Sequence, residues 1–300
     1  MRIIKRKKGK NEYLYLQHSF RKKGKVITKE KYLGSKIPID IEKIKENLKE
    51  ESQSELYSKL EKIKKHFQRE WNSFPESIKE KEQEQIAIAF TYNTNAIEGS
   101  AITLEETREI IEDKIAPNKP LRDIKETEAH NNVFLKMLNK KEKITNQLLL
   151  KWHKEIFEET KKDIAGQYRN YLVRVGSYIA PDWQDIKKLM NELIKFIDKN
   201  KKMNPAELSA RAHFKFESIH PFGDGNGRIG RLITNHILWH SGYPMLIIEY
   251  KKRRPYYKAF PKGEDVFVNY FLRRYLTVHK KRLNFPKSKT LNTLFLPYLC

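Results

Sequence analysis

The stretch that most restricts the fold runs from residue 205 to residue 242. "PAELSARAHFKFESI" starts on Pro205 and repeats Leu208, Ala212, Phe216 and Ile219 at helical spacing. "RIGRLITNHILWHSG" reads as a second helix that stops at Gly242. Between them lies "HPFGDGNG", where Pro221 ends the first helix and Gly223, Gly225 and Gly227 suit neither a helix interior nor a strand. The chain must therefore make a helix–loop–helix, with the loop opening into the N-terminus of the second helix.

That position carries chemistry. A helix N-terminus has unpaired N–H groups and a positive partial charge, which suit a phosphate. The glycines let the backbone turn its amides inward, and Asn226 adds a side-chain donor. Arg228 and Arg231 offer guanidinium forks to phosphate oxygens. Asp224 is out of place beside phosphates unless it holds Mg²⁺ (or Mn²⁺), which takes one carboxylate together with phosphate oxygens. His220 at the rim has the pKa of a general base. The set implies displacement at a nucleotide phosphorus: His220 takes a proton from an incoming hydroxyl, and Arg231 holds the leaving phosphates. A glycine-rich turn with a capping histidine is the plainer alternative, and it leaves Asp224, Asn226 and both arginines without a purpose.

The remainder of the chain is mainly α. Helical runs are expected over 121–139, 145–160, 183–199 and 264–282. "TLEETREIIEDKI" opens with a capping box, Thr103 with Glu106. Residues 39–74 read as a connector of one or two helices, with Ile41, Ile44, Leu48, Leu56, Leu60, Ile63, Phe67 and Trp71 at three- and four-residue steps. "QYRNYLVRVGSYIA", residues 167–180, alternates and reads as a hairpin. The tail, 286–300, has no periodicity and no assigned role.

Residues 1–38 form a separate, basic module. "EYLYLQHSF" and "KVITKEKYLG" read as strands around a turn at "RKKGK", which predicts a small β-meander. Residues 1–36 hold thirteen Lys or Arg against two Glu, a net of +11 in a chain whose formal charge is +23. Tyr13, Tyr15, Phe20 and Tyr32 lie among those cations. The pattern fits an arm for nucleic acid; it equally fits a solvated appendage that needs its aromatics to fold. A Lys/Glu-rich proteome would also account for much of the overall charge. The single cysteine, Cys300, excludes an internal disulfide framework and fits a reducing compartment. No apolar run nears the ~18 residues of a membrane span, and "MRIIKRKKGK" lacks the apolar core of a signal peptide. A cytoplasmic protein with no membrane partner is expected.

"HPFGDGNGRIGR" resembles the signature of the Fic family, HPFx[DE]GNGRxxR. It meets every fixed position: His220, Pro221, Phe222, Asp224, Gly225, Asn226, Gly227, Arg228 and Arg231. The resemblance extends from about residue 75 to 282, within a domain expected over 75–285. It implies a Fic-type helical core with a β-hairpin flap, and transfer of AMP from ATP to a Ser, Thr or Tyr hydroxyl of a target protein. It assigns His220 as base, Asp224 as Mg²⁺ ligand, Asn226 and the Gly225 and Gly227 amides to phosphates, Arg231 to the γ-phosphate, and Phe222 as a buried anchor. By the same resemblance 167–180 is the flap, with Val173 and Val175 touching the target's backbone, and Tyr257 in "RRPYYKAF" lies beside the adenine.

"TNAIEG", 94–99, is similar to the family's inhibitory pattern [ST]xxxE[GN] in the class where the inhibitory helix precedes the core. Glu98 stands one helical turn after Thr94 and just before Gly99. If that helix packs on the site, Glu98 can pair with Arg231 and occupy the γ-phosphate's partner. In some relatives the same glutamate aligns water for removal of AMP, so a dual activity and a homodimer both come within the resemblance. Competing readings are other transfers on the same scaffold (phosphorylation, UMP or phosphocholine transfer) and a nucleic-acid-binding regulator acting through residues 1–38.

Overall fold

The computed structural model describes residues 1–9, 11–22, 25–176 and 178–283. The chain divides into two units, 1–62 and 63–300, and the boundary falls inside a helix rather than at either end of the expected connector. Residues 286–300 lie outside the described residues.

In the first unit, strands β1 (Arg2–Lys8), β2 (Asn11–Lys22) and β3 (Lys25–Gly34) form an antiparallel sheet in the order β1-β2-β3. Strands β2 and β3 pair up to Lys22↔Lys25; the turn expected there falls on residues 23 and 24, outside the described ones. The register puts Arg2, Arg6, Tyr13, Tyr15 and Tyr32 on one face. The other face presents Leu14, Leu16 and Leu33, which pack on Ile41, Ile44 and Leu48 of helix α1 (Ile41–Ser73). The connector is thus one helix of 33 residues.

The second unit is helical. After α1 come α2 (Glu76–Ile97), α3 (Leu104–Arg108), α4 (Leu121–Asn139), α5 (Asn146–Phe157), α6 (Ile186–Lys199), α7 (Pro205–Ile219), α8 (Asn226–His240), α9 (Arg253–Ala259), α10 (Glu264–Val278) and α11 (Lys280–Leu283). The capping box opens α3: Glu106 N–H donates to Thr103 Oγ1 at 3.1 Å, and Thr103 N–H to Glu106 Oε2 at 2.8 Å. No helix among the described residues is long and apolar enough to cross a membrane.

The core gathers around α7 and α8. Phe216 and Ile219 of α7, and Ile229, Leu232 and Ile233 of α8, are buried with Trp152 and Phe157 of α5. Each such side chain contributes roughly 1.5–3 kcal/mol by leaving water. Phe67 and Trp71 of α1 meet Trp239 of α8 at ring distances of 5.9 and 5.0 Å. The last three turns of α2 are buried almost without interruption from Ile86 to Ile97. That helix is therefore part of the core and not a detachable cover.

The hairpin is shorter than the 167–180 expected from alternation. Strands β4 (Arg174–Val175) and β5 (Tyr178–Ile179) are two residues each, extended by one bond from Ala180 N–H to the carbonyl of Val173 at 3.1 Å. Residues before 173 do not pair as a strand, and the carbonyl of Tyr171 goes to Arg169 instead. Its buried guanidinium donates to the carbonyls of His220, Tyr171 and Pro181 at 2.8, 2.6 and 2.7 Å.

Candidate active site

Helix α8 starts at Asn226, two residues earlier than the sequence suggests. Gly225 adopts φ +77, and a Cβ there would collide with the Phe157 ring. Only glycine turns this corner, so Asn226 and Gly227 enter the helix's first turn and present their N–H groups there. Asn226 does not extend a side chain to a ligand as expected. Its Oδ1 accepts from Phe222 N–H and its Nδ2 donates to the Phe222 carbonyl, both at 2.9 Å. The amide is consumed in closing the loop, and what Asn226 has to offer a phosphate is its main chain. Phe222 itself is fully buried, stacked on the His153 ring at 3.9 Å.

His220 ends α7 in the left-handed region, at φ 50 and ψ 60. A histidine there is strained by roughly 1–2 kcal/mol. The strain is held by the bond from its N–H to the Phe216 carbonyl, 3.0 Å, and by the Arg169 clamp on its own carbonyl. Burial lowers the ring's pKa, against a smaller raising effect from the Glu217 carbonyl. The imidazole is therefore neutral near pH 7 and able to accept a proton.

Arg231, one turn into α8, is buried. Its Nε donates to Thr94 Oγ1 at 2.6 Å, and one terminal nitrogen donates to the Thr94 carbonyl at 3.2 Å and to Glu98 Oε1 at 2.6 Å. Burial opposes the charge on this guanidinium, yet its pKa is raised, chiefly by Glu98. Glu98 caps α2 and Gly99 follows at φ +94. The Glu98 carboxylate also covers Gly227, where a Cβ would strike Oε1. An anion from α2 thus occupies the seat over the first turn of α8.

Asp224 lies across the loop. Its Oδ1 accepts from Gly225 N–H at 2.6 Å and its Oδ2 from Lys161 Nζ at 2.7 Å. Burial raises its pKa, and Lys161 and Arg228 bring it below the ordinary carboxylate value. Arg228 is turned away from the seat. It is buried against the Phe157 ring at 4.3 Å and paired with Glu126 of α4. Glu98, Asp123, Glu126, Lys161, Asp224 and Arg228 are among the residues lining a small open cleft of about 100 Å³. Among the described residues no cluster of three or more His, Cys, Asp or Glu could hold a metal. Asp224, a single half-exposed carboxylate, still fits a Mg²⁺ that arrives with phosphate oxygens of its own.

Tyr257 is half-exposed on α9, and its hydroxyl donates to the Ile97 carbonyl at 3.2 Å. Val175 is exposed on the hairpin and Val173 partly so. The structure therefore gathers Thr94, Glu98, Gly227 and Arg231 in one contact set, with Asp224 and Arg228 in another beside it.

Four residues escaped the sequence reading. His153 of α5 accepts from Gly166 N–H at 3.0 Å on Nδ1, which leaves Nε2 to donate to the Asp224 carbonyl at 3.0 Å. Burial lowers its pKa to about 4, so it is a neutral strut. Glu217 lies 3.9 Å from His220 Nδ1, and its buried Oε1 has no hydrogen-bond partner. Burial pushes its pKa to about 8, so it stays protonated at neutral pH and leaves Glu98 as the anion facing Arg231. The others are Glu126 and Lys161. Glu126 had a readable signal: Asp123, Glu126, Thr127, His130 and Asn131 are buried polar residues at helical spacing on α4. A polar stripe on an otherwise core-facing helix marks a lined site.

Residues 143–238 match the Fic/DOC family. Over 189 residues the chain is 34% identical to a protein adenylyltransferase Fic of Nematostella vectensis, covering 61% of this chain and 44% of that protein. A protein of the same name from Culex quinquefasciatus is 30% identical over 203 residues, covering 64% and 40%. The fold is similar to that of Fic-1 from C. elegans, with TM-score 0.66 and 23% identity over 81% of this chain and 74% of that one. The chain spans less than half the length of these curated relatives.

Proposed function

We propose that this chain, which carries a Fic domain in its helical unit, moves AMP from ATP to a Ser, Thr or Tyr hydroxyl of a target protein. His220 takes the hydroxyl proton, the oxygen forms its bond to the α-phosphorus, and pyrophosphate leaves. The first-turn N–H groups of α8 and Arg231 hold the phosphates and meet the charge that builds up on them. Tyr257 lies to the adenine side, and the exposed edge at Val173 and Val175 registers the target by strand addition. Asp224 would hold Mg²⁺ or Mn²⁺, which supplies charge neutralisation at the phosphates. Glu98 restrains the reaction by occupying Arg231, and by the same position it is placed to act in removal of AMP.

The observation that carries this reading is the contact of Glu98 with both Arg231 and Gly227. A carboxylate resident over a helix N-terminus and an arginine supports a seat suited to a phosphate oxyanion. The test is the mass left on a modified protein after incubation with magnesium ATP. An added AMP is expected; an added phosphate or UMP alone would replace this reading with another transfer on the same scaffold.

A second reading concerns the basic sheet. On its open face the Arg6 guanidinium lies 5.1 Å over the Tyr15 ring, and Tyr32 packs on Tyr13 and Tyr15 at 6.0 and 5.3 Å. Cations among clustered, tilted aromatics suit nucleic acid, and binding through phosphates weakens steeply with salt. The full chain should bind a labelled single strand at low salt, and Arg2→Ala with Arg6→Ala should weaken it severalfold. Equal binding by the double variant would remove this role.

A further inference from the structure

Lys161 has no place in the motif, yet it makes the closest ion pair to the motif's carboxylate, with Arg228 next at 3.8 Å. Its ammonium sits 2.7 Å from Asp224 Oδ2 and 2.9 Å from Glu126 Oε1, and 4.9 Å over the Phe157 ring. It is fixed from below by a built turn. Its own N–H donates to the Phe157 carbonyl at 2.8 Å, and its carbonyl accepts from Ile164 and Ala165 at 3.1 and 3.0 Å. The lysine side chain is four-fifths buried beside an Asp224 side chain that is nearly half exposed.

Both oxygens of Asp224 are therefore engaged. Oδ1 is held by the Gly225 main chain, which cannot leave without undoing the loop. Oδ2 is held by the end of a flexible four-carbon side chain, which can. An ion approaching Asp224 must displace Lys161, because an ammonium and a divalent cation repel strongly at such distances. Lys161 does not then lose all its partners, since Glu126 remains beside it. Glu126 is in turn kept ionised: burial raises its pKa, while Arg228 and Lys161 carry it below the ordinary value.

We propose that Lys161 is a positioning residue that competes with the divalent cation for Asp224. It holds the carboxylate in the ion's absence, and it yields by moving onto Glu126 when the ion arrives. The inference rests on the phosphate-transfer reading above and deepens it: metal affinity at this site is set low by a tethered cation, so that the ion binds only with the nucleotide's phosphates to help it.

The test measures binding and not turnover. Mn²⁺ affinity is followed by water-proton relaxation in the full chain carrying Glu98→Gly, with a non-hydrolysable ATP analogue present. Adding Lys161→Met should tighten Mn²⁺ binding on the order of tenfold, from removal of one adjacent positive charge. Lys161→Arg keeps the charge and should leave the affinity near that of the parent. Arg228 and Thr160 still satisfy Glu126 in the methionine variant, which preserves the fold. Unchanged or weaker Mn²⁺ binding in Lys161→Met overturns the assignment alone. Absence of Mn²⁺–nucleotide binding in every chain overturns the phosphate-transfer reading, and the assignment with it.

Discussion

Glu98→Gly is expected to raise AMP transfer, onto targets and onto the chain itself, by at least an order of magnitude. The contact it removes is specific. Glu98 Oε1 lies 2.6 Å from Arg231, and the same atom covers Gly227. A triphosphate that needs Arg231 must therefore compete with an intramolecular anion that is always present. It must also bring its own negative charge against that of Glu98. Breaking a buried pair by removing the acid usually leaves an unpaired cation at a cost of several kcal/mol. Here Thr94 still receives two of the guanidinium's hydrogen bonds, so Arg231 stays oriented and open to a phosphate.

The substitution is also mild for the fold. Glu98 is the residue after α2, at φ −86 and ψ 5, outside the helix interior where glycine is costly. Because α2 is buried from Ile86 to Ile97, release requires movement of one carboxylate at its end and not departure of the helix. Initial rates with labelled ATP, compared at equal protein concentration, decide the matter. Equal rates for the two proteins would remove Glu98 as a brake. Glu98→Gln, which keeps the size and loses the charge, should fall between them.

Much of this was legible in the sequence, for a physical reason. The motif is contiguous: Gly225 and Gly227 act through local backbone geometry that residue type alone dictates. The helices were legible because each buries a stripe at its own period. Apart from the Glu98–Arg231 pair, which came with the resemblance to the inhibitory pattern, what sequence could not reveal was which partner a polar side chain takes. Arg228 reads as a phosphate ligand until Glu126, 102 residues earlier, is seen to take its guanidinium. Asn226 reads as a donor until its amide is seen to close on Phe222. The hairpin reads as longer than it is because alternation around residue 170 says nothing of Arg169, whose carbonyl partners are spread from Tyr171 to His220. Lys161 could not be singled out at all, one lysine among the chain's 61 basic residues. For Arg228 and Lys161 the missing information was a contact far along the chain; for Asn226 it was a local choice between closing its own loop and reaching outward.

His220→Ala should abolish transfer while leaving nucleotide binding largely intact. Loss of a general base costs about 10²–10⁴ in rate, and no other described side chain stands ready to replace it. Glu217, the nearest carboxyl at 3.9 Å, keeps its proton until about pH 8. His153 is neutral, but both ring nitrogens are engaged, on Gly166 and the Asp224 carbonyl. Binding should survive because the proposed phosphate seat consists of α8 and Arg231, not the imidazole. The left-handed backbone at position 220 complicates alanine, which is strained there as histidine is. Asn tolerates that region better and has no basic nitrogen, so His220→Asn separates loss of the base from loss of the loop's shape. Both variants, made in the Glu98→Gly chain, should bind a labelled ATP analogue within a few-fold of the parent and show no incorporation of AMP. Transfer at the parent's rate in His220→Asn would take the base away from His220, and loss of nucleotide binding in both variants would make it a structural residue of the loop.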